Sequence, residues 1–200
     1  MATKGWTDGR ESGVRQIAES AEKTGFPVLD LVQIHNLRDW KTHLETLRAM
    51  KERGEVRFIG ATTWGGLRHE ELETVMRTGA LDFIQVTYNV IHREVEQRIL
   101  PLAAELELGV IVNRPFAQGE LFQTVKGREL PTWAHDEADC RSWAQLFLKF
   151  VLGDPRVSVV IPATSKPKHL LDNMGAGRGR LPAAETLLRT CRQWIRMTTP

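Results

Sequence analysis

Four short apolar runs recur at a nearly constant interval. VLDLVQIH (residues 28–35), VRFIGATT (56–63), DFIQVTYN (82–89) and GVIVNRP (109–115) begin 28, 26 and 27 residues apart. Each is rich in β-branched and other apolar residues, as strands covered on both faces are. The intervals hold helical patterns, such as Trp40, Leu44, Leu47 and Met50 on one face. A strand-helix step repeated at this length is the grammar of parallel strands joined by right-handed crossovers. VSVVIPAT (157–164) adds a strand after a longer gap, and MATK adds a strand stub at the start. Gly25, Gly54, Gly79 and Gly109 fall at helix-to-strand joins, where a residue with positive φ is expected.

Two architectures obey that grammar, an open doubly wound sheet and a β/α barrel. An open dinucleotide-binding sheet carries a GxGxxG turn after an early strand, and this sequence has none. Barrels distribute their chemistry over residues just past many strands. Lys4, His35, Thr62 with Thr63, Tyr88 with Asn89, Arg114, and Thr164 with Ser165 all take such places. The expectation is an α/β fold: an incomplete (β/α)8 TIM barrel of about six parallel strands in a single domain over residues 1–200. The familiar barrel has eight strands, so the stub at MATK reads as the third. Open strand edges and an uncovered interior would follow, favouring a homo-oligomer or a partner that supplies the missing strands.

Composition removes several function classes. Lys and Arg number 27 against 25 Asp and Glu, a net charge of +2, so no global field draws nucleic acid or an anionic membrane. No apolar run approaches the roughly 20 residues that span a bilayer. Cys140 and Cys191 show no CxxC or Cys/His ligand spacing, and neither HxH nor HExxH occurs, so neither a disulfide nor a metal is expected. With TDGRES interrupting the start before any apolar signal region, the expected location is cytoplasmic. His43, His69, His92 and His135 share no spacing and read as surface or helix-face residues.

The stretch VIPATSKPKHLLDN places a polar loop after a strand, with Ser165 as a candidate helix cap and Pro167 in the first turn. Lys166, Lys168 and His169 put positive charge beside that helix end. The pattern suits an anion pocket, or equally a capped and solvated surface helix. Trp40, Trp143 and Trp194 lie on helical patterns and read as core. Trp6, Trp64 and Trp133 follow strands or lie in the long loop, where they either line an apolar substrate mouth or pack locally.

LDLVQIHN, VRFIGATTWG, DFIQVTYN, REVEQRILPLAAELELGVIV and VIPATSKPKHLLDN resemble, in order and spacing, successive landmarks of the aldo-keto reductase family. The resemblance runs from Thr3 to about Asn173. It implies a β/α barrel that reduces carbonyl compounds with NADPH, with NAD as the alternative cofactor, without a metal, through an Asp, Tyr, Lys and His tetrad. On that resemblance Lys4 and His35 are the tetrad lysine and histidine. Thr62, Thr63 and Gln85 fall at the nicotinamide carboxamide, and Asn113 and Arg114 where the nicotinamide ring rests. Thr164, Ser165, Lys166, His169 and Asn173 fall at the adenosine phosphate and adenine. Ala163 stands where one branch of the family has a phosphate-binding lysine. Trp6 and Trp64 are candidates for the substrate mouth, which takes a small carbonyl compound.

The tetrad Asp and Tyr belong to the two βα units that precede the third strand. The only tyrosine here is Tyr88, after a later strand. General acid catalysis typically contributes ~10²- to 10⁴-fold. The expectation is therefore an oxidoreductase that is weak or inactive alone, or else a non-catalytic nucleotide-binding or structural descendant of the family.

Overall fold

A computed structural model describes residues 1–198; Thr199 and Pro200, the last positions of the expected 1–200 domain, lie outside the described residues. The elements alternate as the spacing predicts: β1 (Ala2–Gly5), α1 (Arg10–Thr24), β2 (Leu29–Ile34), α2 (Trp40–Glu52), β3 (Val56–Thr62), α3 (His69–Met76), β4 (Phe83–Thr87), α4 (Ile99–Glu105) and β5 (Gly109–Asn113). Three helices then intervene, α5 (Glu120–Thr124), α6 (Thr132–Ala138) and α7 (Trp143–Leu152), before β6 (Val159–Val160), α8 (Pro167–Gly175) and α9 (Ala184–Thr198). The six strands run in sequence order with parallel pairing, a six-strand α/β sheet where a complete barrel has eight strands. The last run is shorter than expected: only Val159 and Val160 make strand pairs.

The chain divides into two compact units. The first joins Met1–Val86 to Glu96–Val110; the second joins Thr87–Val95 to the chain from Ile111 onward. In the first unit, register carries the design. Ala2 pairs with Leu31 and Lys4 with Gln33, Gln33 pairs with Gly60, and Gly60 pairs with Phe83. Paired residues of neighbouring strands share a face, so Lys4, Gln33, Gly60 and Phe83 form one row across the sheet. Gly60 belongs there because a Cβ would come 3.0 Å from Gln33 Cγ and 3.1 Å from the Phe83 carbonyl oxygen.

One expectation changes here and a second is resolved. Gly25, Gly54 and Gly79 have the positive φ expected of helix-to-strand joins, but at the fourth join that role passes to Glu107, with φ of 55°. Gly109 instead opens β5, where any Cβ would collide with the Phe83 ring. Of the two readings of His43, surface or helix face, the structure gives the second: it is buried on the face of α2 toward α1. Gly13 makes the space, since a Cβ there would lie 2.7 Å from His43 Cε1, and His43 Nε2 donates to the Thr7 carbonyl at 2.6 Å.

In the second unit α7 is apolar on nearly every side. Phe147 meets the rings of Phe122, Trp143 and Trp194, while Phe150 meets Tyr88 at 5.6 Å. One charged residue is sealed in this helix. Lys149 is fully buried, and its Nζ donates to the carbonyls of Ala138, Arg178 and Arg180 at 2.7, 2.7 and 2.8 Å. All three ammonium hydrogens are thereby used, which ties the glycine-rich segment after α8 to the end of α6. Lys149→Met should lower the unfolding free energy by about 2–4 kcal/mol, because it strands carbonyls that water reaches poorly. Urea denaturation followed by circular dichroism measures this, and an unchanged midpoint would mean the three bonds contribute nothing net.

Candidate functional site

The first unit places its polar groups at or just past one end of β1, β2 and β3, and on β4 where it runs beside the end of β3. His35 follows Ile34 directly and begins a tight turn in which Asn36, Leu37 and Asp39 all have positive φ, at 54°, 55° and 44°. Such backbone is unfavourable for residues with a Cβ and persists only when neighbours hold it. Thr62 is one of those neighbours, its Oγ1 accepting the Asn36 N–H at 2.9 Å. Arg68 is another, donating to the Asn36 carbonyl and pairing with Glu71.

A second clamp binds the loop after β1 to the turn after β2. Arg38 donates from Nε and NH2 to the two oxygens of Asp8, at 2.9 and 2.5 Å, and the Gly9 N–H donates to Asp39 Oδ2 at 2.8 Å. The Arg38 guanidinium lies 5.7 Å above the Trp6 ring, and the Trp6 ring lies 5.6 Å from that of His35. Gln16 Oε1 accepts the Trp6 N–H at 2.7 Å. Trp6 is thus anchored through its backbone and flanked on its ring, yet its side chain stays mostly exposed beside the imidazole. Neither Arg38 nor Asp8 carries a sequence signal for this task, because their partnership depends on how two loops meet.

Burial, and then the positive charge of Lys4, hold the His35 pKa below the usual imidazole value. The ring is therefore neutral at pH 7, able to donate one hydrogen bond to a carbonyl oxygen without carrying charge. The unfolded chain binds this proton more readily than the folded one, so the group's contribution is complete above the ordinary imidazole pKa and is lost as pH falls through the folded value. Beside Lys4 in the row, Gln33 is buried and its Nε2 has no acceptor among the described residues. It sits among the predicted residues but gave no signal, being one polar letter inside an apolar strand.

Thr62 and Gln85 pair across β3 and β4, the Thr63 N–H donates to the Gln85 carbonyl at 2.9 Å, and all three are buried. Trp64 follows them and is partly exposed. Lys4, His35, Thr62, Thr63 and Gln85 therefore occupy one end of the first unit's strands.

The second unit holds a cleft of about 370 Å³ lined by Phe116, Phe122 and Trp143, with Thr164, His169, Asp172 and Asn173 as its main polar groups. Asp172 accepts from Ser142 Oγ and Gln145 Nε2, both at 2.8 Å, which fixes its carboxylate in place. Ser165 does not cap α8. The Lys166 N–H goes to Thr164 Oγ1 at 3.2 Å, Lys166 takes the cap position without a side-chain bond, and the His169 N–H returns to the Lys166 carbonyl. Pro167 has no N–H, so the lysine ammonium groups carry much of the positive character at this end. Ser165 and Lys166 are exposed and stand outside the cleft lining. Asn113 Oδ1 accepts from Thr87 Oγ1 at 2.6 Å, and the Arg114 carbonyl accepts from Asn89 Nδ2 at 2.9 Å. The aromatic wall of this cleft was not foreseen, because Phe116 and Phe122 lie 51 and 45 residues before Pro167, the start of α8.

Among the described residues, no group of three or more His, Cys, Asp or Glu is placed to hold a metal ion, and no helix is long and apolar enough to cross a membrane. Burial pushes the Cys140 thiol up to about 11, which leaves it unreactive.

Parallel strands feeding helices, with polar groups collected past the strand ends, define the β/α-barrel class. Within that class the chain belongs to the Aldo/keto reductase family, whose profile matches residues 2–187. A putative aryl-alcohol dehydrogenase of Saccharomyces cerevisiae is 31% identical over 118 residues, 56% of this chain and 34% of that protein. An NADH-specific methylglyoxal reductase of Escherichia coli is 26% identical over 131 residues, 60% of this chain and 38% of that one. The chain thus spans little more than a third of the length of these two relatives. Among solved structures, an aldo/keto reductase from Klebsiella pneumoniae in complex with NADP and acetate superimposes with a TM-score of 0.77 at 22% identity, covering 96% of this chain and 68% of that one.

Replacing Lys4 by Met should raise the His35 pKa toward, but not fully to, the ordinary imidazole value, because burial remains when the neighbouring charge is gone. A histidine NMR titration of the two proteins reads this directly. An identical His35 titration in both would mean that Lys4 does not act on the ring.

Proposed function

We propose that this protein is a nicotinamide-dinucleotide oxidoreductase of carbonyl compounds whose turnover is weak when the polypeptide acts alone. The observation that carries the reading is a neutral imidazole, His35, next to a lysine and an exposed indole in a chain of the aldo/keto reductase family. The second unit's cleft suits an adenosine: aromatic walls, a buried amide at Asn173, an imidazole at His169 and a hydroxyl at Thr164. Lys166 supplies charge for the adenosine phosphate, with Ser165 beside it. Thr62, Thr63 and Gln85 are the residues proposed for the nicotinamide carboxamide, with Asn113 and Arg114 as further contacts. NADP is the proposed cofactor, and the NADH-specific relative makes NAD the alternative. The dinucleotide supplies a hydride.

The protein's own residues act on the other reactant. His35 donates its single N–H to the carbonyl oxygen of the substrate and orients it. The Lys4 ammonium stabilises the negative charge that develops on that oxygen, since opposite charge in a partly desolvated place interacts strongly. Trp6 and Trp64 present apolar surface to a small carbonyl substrate, a choice in keeping with the aryl-alcohol name of the yeast relative.

A proton must still reach the oxygen, and the sequence's one tyrosine is buried against Phe150 in the second unit. Water is then the donor, at the loss of ~10²- to 10⁴-fold that a missing general acid entails. The same observation favours a second reading, in which the protein binds the nucleotide without catalysis or serves as a structural descendant of the family. Self-association, or a partner that supplies further strands, fits either reading, and in the second unit it would cover Val159 and Ile161, each more than 40% exposed.

Fluorescence titration with NADPH and NADH tests the cofactor site. Binding in the micromolar range should weaken by about tenfold or more in His169→Ala and Asn173→Ala, the size expected for losing one hydrogen bond to the ligand. Failure to bind either dinucleotide would exclude the oxidoreductase and the nucleotide-binding reading, leaving the structural descendant. A carbonyl-reduction assay under saturating cofactor then separates them: slow turnover abolished by His35→Ala supports the oxidoreductase, and tight binding with no turnover supports the non-catalytic reading.

A further inference from the structure

Within the second unit α9 faces the segment that precedes and begins α6, and a cleft of about 770 Å³ opens between them. Four guanidinium groups, those of Arg128, Arg189, Arg192 and Arg196, line it together with Trp133 and a single carboxylate, Glu185. That excess of positive charge in one cavity is larger than the net charge of the whole chain.

The walls are fastened before any ligand arrives. Trp133 Nε1 donates to Gln193 Oε1 at 3.2 Å, and the Arg189 guanidinium lies 5.6 Å from the Trp133 ring while also pairing with Glu137. On the other side, the Arg128 carbonyl accepts from Trp143 Nε1 at 2.9 Å, which fixes the backbone at the rim. What the walls do not supply is counter-charge. Arg128, Arg192 and Arg196 form no ion pair among the described residues, whereas Arg38, Arg53, Arg57, Arg77, Arg156 and Arg180 each pair with a nearby acid.

Arg189, Arg192 and Arg196 recur at three- and four-residue spacing, so they occupy neighbouring positions on one helical face. Like charges at that spacing repel and destabilise a helix. The span from Arg189 to Arg196 is about 10 Å along the axis. A monoanion satisfies one guanidinium and leaves the others repelling. An anion with several charges spread over that length satisfies them all, and the guanidinium fork matches phosphate oxygens two at a time. The size of the cavity is that of a small-molecule site. The chain's balanced charge provides no wider basic surface for a nucleic acid to follow.

We propose that this cleft binds a small molecule bearing a di- or triphosphate. It shares no lining residue with the adenosine cleft, and the proposal stands independently of the oxidoreductase reading.

Sodium tripolyphosphate is the probe, because it has neither an adenosine nor a nicotinamide with which to occupy the other site. Isothermal titration at low salt should give saturable binding, and thermal melting in its presence should shift upward. Both should be lost in Arg192→Ala/Arg196→Ala, with affinity falling at least tenfold. These side chains are exposed, and the unliganded melting temperature of the double variant checks that it folds. Binding should persist in Lys166→Ala/Lys168→Ala. An adenosine triphosphate arm resolves the source: competition with tripolyphosphate in the wild type places the nucleotide's phosphates in the same cleft. Binding that survives the arginine double variant, or that disappears in the lysine double variant instead, would overturn the proposal. So would a melting shift reproduced by sodium chloride at equal ionic strength. A failed dinucleotide titration would leave this result untouched, and the reverse also holds.

Discussion

Parallel pairing sets Lys4 beside Gln33 and Gln33 beside Gly60, and the chemistry of the first unit follows from that ladder. In a strand the side-chain period is two, so slipping the register by one residue would turn every one of these groups to the opposite face. Val32 and Ile34, with hardly any exposure, hold the register because the other face has no place for them except under the helices. The last residue of each strand then faces the same end of the sheet. Thr62 at the end of β3 is paired with Gln85 of β4, and His35 directly follows the end of β2.

Several side chains in the first unit fit only where a glycine yields space. Gly60 admits the Gln33 side chain, Gly13 admits the His43 ring, and Gly109 admits the Phe83 ring. Lys149 is handled differently: three carbonyls surround its ammonium group. The Asp8–Arg38 pair follows a third rule. Both side chains are solvent-exposed, so the pair contributes little to stability, but it holds the loop that presents Trp6 to His35.

Charge is distributed unevenly between the two ends of the proposed reaction. The environment of His35 keeps it neutral and leaves it suited to orienting an oxygen rather than protonating it. Lys4, on the neighbouring strand, carries the positive charge, and in the proposed reaction it serves the developing oxyanion. Tyr88, the one phenol of the sequence, is buried in the second unit against Phe150.

The alternation of strand and helix was readable in the chain because burial imposes a period on apolar residues, and His35 stood out as a candidate because it directly follows such a run. That Tyr88 is the one tyrosine of the sequence was equally plain, since a count needs no coordinates. Other features had no local signature. Ser165 looked like a helix cap, yet the loop conformation gave the hydrogen-bonding task to Thr164. His43 read as a surface or helix-face residue, and its burial shows only where Gly13 of α1 comes opposite it. Trp133 and Gln193 stand 60 residues apart and meet only because α9 packs back on the earlier segment. Local periodicity decides which residues must be buried, and the chain states that directly. Which distant side chains then face one another depends on how buried faces close, and only the folded arrangement of helices and loops decides it.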